Sequence, residues 1–171
     1  MISHKVKQQG YTLIELTLVI MLVGLMMGLS VPRIRSLLIT DNLKSSTLRI
    51  IGLVKELRND AIRENRIYHL HLNMGSNLIW VGFEGMTQEE SELAHKRAFQ
   101  LSQDVKIIDV WRMGKGKKVD GEATIRITYK GYLEQSIIHL GAEDGREFSL
   151  ILQPFLGNIK TYDRYIDNEG V

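Results

Sequence analysis

One carboxylate stands where a carboxylate is costly. Glu15 is the only charged residue between Leu13 and Val31. A carboxylate in a membrane-embedded helix costs about 2.5–3.5 kcal/mol at the bilayer centre and less towards the edge. A group kept there calls for a cationic partner or for a position from which it reaches water. Other residues could do chemistry. His69 and His71, two apart, project from one face of a strand and could share a metal. The sequence places no carboxylate or third histidine beside them, so they read as exposed strand histidines. Gly114-Lys115-Gly116-Lys117-Lys118 is a short basic, flexible loop whose lysines could touch phosphate weakly, although such runs are ordinarily solvated. Asp163, Asp167 and Glu169 form a loose acidic group at a terminus expected to fray. No Ser/His/Asp motif, phosphate-binding loop or dinucleotide fingerprint appears, so no catalytic residue, metal site or cofactor is expected.

Composition bounds the fold and excludes some chemistry. The 171 residues are 44% apolar, enough for one core and an appendage. The formal net charge is +2. Ahead of Arg33 the charges are Lys5, Lys7 and Glu15, so the body of the chain is balanced, and bulk charge gives no argument for a nucleic-acid partner. The absence of cysteine excludes disulfide scaffolds, thiolate zinc sites and cysteine nucleophiles.

The element that must position Glu15 is the run Leu13–Val31 itself. As a helix at about 1.5 Å per residue it spans roughly 28 Å, close to the ~30 Å hydrocarbon core of a bilayer. Three readings fit the N-terminus. A secretory signal would use Lys5 and Lys7 as its basic region and Gly28-Leu29-Ser30 as a cleavage site, but the run is long for that and carries Glu15. An unprocessed signal anchor is opposed by the near balance of Lys5 and Lys7 against Arg33 and Arg35. The third rests on Gly10-Tyr11-Thr12-Leu13-Ile14-Glu15-Leu16, which comes after a short basic leader.

This stretch resembles the cleavage and methylation motif of type IV pilins and type II secretion pseudopilins. The resemblance implies that a prepilin peptidase cuts after Gly10, a residue without a side chain that lets a protease approach closely. Tyr11 would then be the N-methylated first residue; relatives usually have phenylalanine there. It also implies that Glu15 neutralises the N-terminal ammonium of a neighbouring subunit in a filament and so sets axial register. The competing reading is an interfacial carboxylate reaching water. Pro32 ends the apolar run and predicts a helix kink, at about the distance from the cut that the family favours.

Leu43, Thr47, Ile50, Val54, Leu57 and Ala61 recur at spacings of three and four, which predicts one amphipathic stripe. Only Gly52 interrupts it, so a single helix is expected over about 12–65. Past Arg66 the period shortens. Ile67 to Leu72 alternates as a strand, a turn falls at Met74-Gly75-Ser76-Asn77, and Leu78 to Glu84 returns. Residues 86–98 read as helical or irregular. Further strands are expected near 105–112, 122–129, 132–140, 146–153 and 157–166, joined by glycine turns. The expected fold class is α+β and pilin-like, with a long N-terminal helix packed on a C-terminal antiparallel sheet. Its parts are a leader (1–10), a transmembrane and filament-core helix (11–32), an amphipathic continuation (33–66) and a sheet domain (67–171).

The helix end Leu57 to Asn65 running into a hairpin, and the ending Asp144-Gly145, Phe148 to Leu152 and Gln153-Pro154-Phe155-Leu156-Gly157, are similar to the H-type minor pseudopilins, the GspH/FimT-like group. That resemblance implies a structural subunit, not an enzyme. It would be anchored in the bacterial inner membrane with its sheet domain in the periplasm. Its partners would be other pseudopilins or pilins, the prepilin peptidase and the membrane assembly platform. The alternative is a minor pilin of a type IV pilus serving assembly, DNA uptake or adhesion.

Overall fold

The computed structural model describes residues 12–155 and 158–167, without the side chains of 27–41. Two compact units divide the chain between Leu38 and Ile39. Helix α1 runs Leu13–Glu64. It opens where the Thr12 carbonyl accepts from the Leu16 amide at 3.2 Å. It stops because Asn65 turns left-handed (φ 52°), which lets the Arg66 amide reach back to the Ala61 carbonyl at 3.1 Å. Asparagine tolerates that conformation better than most residues.

In the second unit, α1 presents Leu43, Ser46, Thr47, Ile50, Val54, Leu57 and Ala61 as a buried stripe, including all six residues of the expected periodicity. Gly52 is exposed on the opposite side. The strands are β1 (Tyr68–Asn73), β2 (Leu78–Phe83), β3 (Phe99–Gln100), β4 (Val105–Arg112), β5 (Gly116–Lys118), β6 (Glu122–Ile127), β7 (Ser136–Ala142), β8 (Glu147–Leu152) and β9 (Ile159–Tyr162). A short helix α2 (Gln88–Lys96) comes after β2. Thr87 and Glu90 cap α2 reciprocally: the Glu90 amide donates to Thr87 Oγ1 at 3.2 Å, and the Thr87 amide donates to Glu90 Oε2 at 2.8 Å.

The expectation of one sheet is corrected to two, both antiparallel. The first has the order β3-β2-β1-β6 and the second β5-β4-β7-β8-β9. The division arises because β3 is only two residues long. A turn closed by the Val105 amide on the Ser102 carbonyl (2.9 Å) then leads the chain into β4, which pairs with β7. Ile107, Val110, Ile138, Leu140, Leu150 and Leu152 from the second sheet join Leu70, Leu72, Ile79 and Ile125 from the first in a single core with the α1 stripe. Each such side chain contributes roughly 1.5–3 kcal/mol when fully buried.

Other boundaries shift too. The strand expected at 132–140 is β7 at 136–142, preceded by a lone bridge between Leu133 and Ile127. The one expected at 157–166 shrinks to β9 at 159–162. The lysine loop is partly strand, because residues 116–118 pair with 110–112. In β4 a bulge at Ile108 separates the pairs Ile107–Leu140 and Asp109–His139. That extra residue turns Asp109 away from the core and returns Val110 to it.

Candidate functional site

The first candidate is the exposed start of α1. From Leu13 to Met26 every described side chain is exposed, the large apolar ones by 46% (Val23) to 83% (Leu13). No face of the segment is polar, so it has no solvent side. Glu15 sits in the first turn, exposed among these residues. Among the described residues no helix is long and apolar enough to cross a membrane. The side chains of 27–41, which complete the run expected from sequence, lie outside the described set. Gly10 and Tyr11 also lie outside the described residues. Pro32 falls within α1, with its side chain outside the described set.

The lysines are not a free basic patch. Lys115 Nζ lies 3.0 Å from Glu134, and Lys117 Nζ lies 3.3 Å from buried Asp109. Lys118 is half-buried. The hydrogen bond to the Tyr165 hydroxyl and the Asp109 charge outweigh burial and raise the Lys117 pKa.

His69 and His71 are half-buried rather than exposed, because α2 and β6 crowd the face that they occupy. His71 stacks on Trp80 (3.6 Å, 10°), and His95 of α2 tilts onto the same indole at 4.0 Å. Glu122 of β6 accepts from Trp80 Nε1 at 3.2 Å and lies 2.8 Å from His71 Nδ1. Burial lowers the His71 pKa against the opposing pull of Glu122. No group of three or more metal-ligating side chains forms among the described residues. Asp163 and Asp167 are exposed, and Glu169 lies outside the described residues. Beside α2, a groove of about 430 Å³ runs along β2, walled by Leu53, Val81, Phe83, Met86, Leu93 and Phe99.

Sequence reasoning missed a buried polar row on the outer face of the second sheet. Asp109, His139 and Ser149 lie side by side across β4, β7 and β8, each 1% exposed or less. His139 Nδ1 is 2.6 Å from Asp109 Oδ1 and Nε2 is 3.0 Å from the Ile166 carbonyl. Ser149 Oγ donates to the Arg164 carbonyl (2.7 Å) and accepts from the Ile166 amide (2.9 Å). Tyr165 stacks on His139 (3.9 Å, 16°) and donates to Asp109 Oδ2 at 3.1 Å. Burial would push the Asp109 pKa up. The His139 hydrogen bond and the His139 and Lys117 charges outweigh it, so the carboxyl titrates below its ordinary range. The serine hydroxyl serves the backbone of residues 164–166, not the imidazole, so the row is a fastening for that segment. The expected frayed terminus is therefore tied down through residue 166. The available signal was a lone histidine inside the apolar strand Ile137-Ile138-His139-Leu140.

No protein-family model matches the chain, and no curated protein does. Two solved structures share its fold. Both are of the minor pseudopilin EpsH from the type II secretion system of Vibrio cholerae. One aligns with a TM-score of 0.54 at 11% identity over 75% of this chain and 98% of that one. The other aligns with a TM-score of 0.56 at 10% identity over 75% and 100%. The chain thus has the helix-and-antiparallel-sheet fold of a minor pseudopilin.

Proposed function

We propose that this chain is a structural minor pseudopilin of a type II secretion system, assembled with other pseudopilins at or near the tip of a short periplasmic filament. The observation that carries this reading is the segment Leu13–Met26, apolar and exposed on every side, at the head of a domain with the pseudopilin fold. Each large apolar side chain there forgoes about 1.5–3 kcal/mol while it stays in water. A bilayer before assembly, and a bundle of neighbouring helices after it, supply the missing burial. A prepilin peptidase at the inner membrane would release residues 1–10, and Tyr11 would be methylated. Glu15 would then meet the N-terminal ammonium of a neighbouring subunit.

Mass spectrometry of the mature N-terminus tests the processing. A methylated Tyr11 is expected, and an intact Met1 or a start near Val31 overturns the reading. Glu15→Ala tests assembly: the variant should be processed and inserted but enter filaments poorly. Wild-type incorporation would sink the assignment of Glu15 to axial register.

A further inference from the structure

We infer that the outer edge of β2, beside α2, takes up an extended peptide segment with acidic ends as an added strand. β3 pairs with β2 only at Leu78 and Ile79, so residues 80–83 have β1 on one side and no strand on the other. Backbone groups along a strand point alternately to either neighbour. The Glu84 amide turns inward to the Ile67 carbonyl at 2.9 Å. The Phe83 amide turns outward, where it meets only the Met86 thioether at 3.1 Å. Val81, two residues earlier, therefore faces outward as well, and its N–H and C=O have no partner among the described residues. A thioether is a weak acceptor, so a peptide carbonyl would replace it at Phe83.

Side chains complete the slot. The groove of about 430 Å³ lies along this stretch of edge, lined by Leu53 of α1, Leu93 of α2 and Val81, Phe83 and Phe99. A strand that continues the line of β3 would put alternate side chains into it. The other three sheet edges among the described residues carry charges that discourage strand pairing: Lys117 and Lys118 on β5, Lys160 on β9, Glu122 and Arg126 on β6. Leu78–Phe83 and Phe99–Gln100 carry no charge and no proline.

The rim selects the occupant. Arg49 stacks over Phe99 at 4.1 Å and Arg66 over Phe83 at 5.0 Å, and Arg97 lines the groove. None of the three forms an ion pair among the described residues. Glu90, the acid in the lining, is engaged by the Thr87 amide. Three guanidiniums around an apolar slot call for carboxylates flanking the apolar residues of the incoming strand. A second copy pairing edge to edge about a two-fold axis would set the same arginines against each other, so the donor is a different chain.

The test uses the full chain in lipid nanodiscs, which leave no free detergent to fill the groove. The probe is a capped heptapeptide of alternating valine and threonine between two glutamates. Calorimetry should show saturable one-to-one binding. With the peptide at about ten times its Kd, hydrogen exchange at the Val81 and Phe83 amides should slow about tenfold. Lysine in place of both glutamates should weaken binding about tenfold at low salt. Arg66→Glu combined with Arg97→Glu should reverse that preference. A peptide N-methylated throughout keeps its side chains, loses the strand hydrogen bonds and should not bind. Binding of the methylated peptide, binding without a change at Val81 and Phe83, or no binding of the glutamate peptide at millimolar concentration overturns the inference. So does protection of Val81 that rises with protein concentration alone, which would make a second copy the occupant. These outcomes are read on the wild-type chain, so the test survives a variant that does not fold.

Discussion

Asp109 and His139 face each other across β4 and β7 at 2.6 Å, and neither side chain exposes more than 2% of its surface. A buried ion pair is weak evidence for stability as a pair, but removing one member strands the other. Asp109→Asn should therefore cost about 3 kcal/mol in chemical denaturation, towards the low end for broken buried pairs. The double replacement Asp109→Leu, His139→Leu should cost less than the single one, because no buried charge is left uncompensated and the exposed Lys117 ammonium can turn to water.

His71 sets an acid limit on the first sheet. Its pKa is lowered, chiefly by burial, although Glu122 opposes this. A lowered value means that the folded state binds the proton less readily than the unfolded chain. The stability it contributes is present above the unfolded value of about 6.5 and is lost as the pH falls through the folded one. The urea midpoint should fall as the pH drops below about 6.5, and His71→Phe, which keeps a ring against Trp80, should flatten that slope.

Gly131 is constrained twice. Its φ is +76°, and a Cβ there would lie 2.7 Å from Ile62 Cδ1. Its carbonyl also accepts from Arg58 Nε at 3.0 Å, which fixes the turn against α1. Gly131→Ala should destabilise by about 2 kcal/mol from left-handed strain and overlap combined. Adding Ile62→Ala should recover the overlap part and leave the strain, as measured by a double-mutant cycle in thermal unfolding.

Gly52 behaves oppositely. It lies mid-helix and exposed, and a Cβ added there would meet nothing within 4 Å. Gly52→Ala should stabilise the protein by about 0.5–1 kcal/mol, because it restricts only the unfolded chain. At roughly 2–4 °C per kcal/mol for a chain of this size, Tm should rise by a few degrees.

The sequence by itself determined the features that local period and local chemistry specify. The stripe Leu43 to Ala61 specified a helix and its buried face, since 3.6 residues per turn puts those positions on one side. The change to period two marked where the sheets begin. Glu15 in its apolar run singled out the N-terminal segment. Tertiary structure decided the features that depend on pairing between distant residues. Two residues in β3 were too short to read as a strand, yet their length divides one expected sheet into two. The bulge at Ile108 turns Asp109 towards His139, thirty residues away in sequence. No local pattern encodes that distance, because strand register is set by the hydrophobic match between partners that meet only in the fold. For the same reason Lys117 read as part of a solvated loop and residues 164–166 as the end of a strand, and only the packed second sheet joined them to one buried carboxylate.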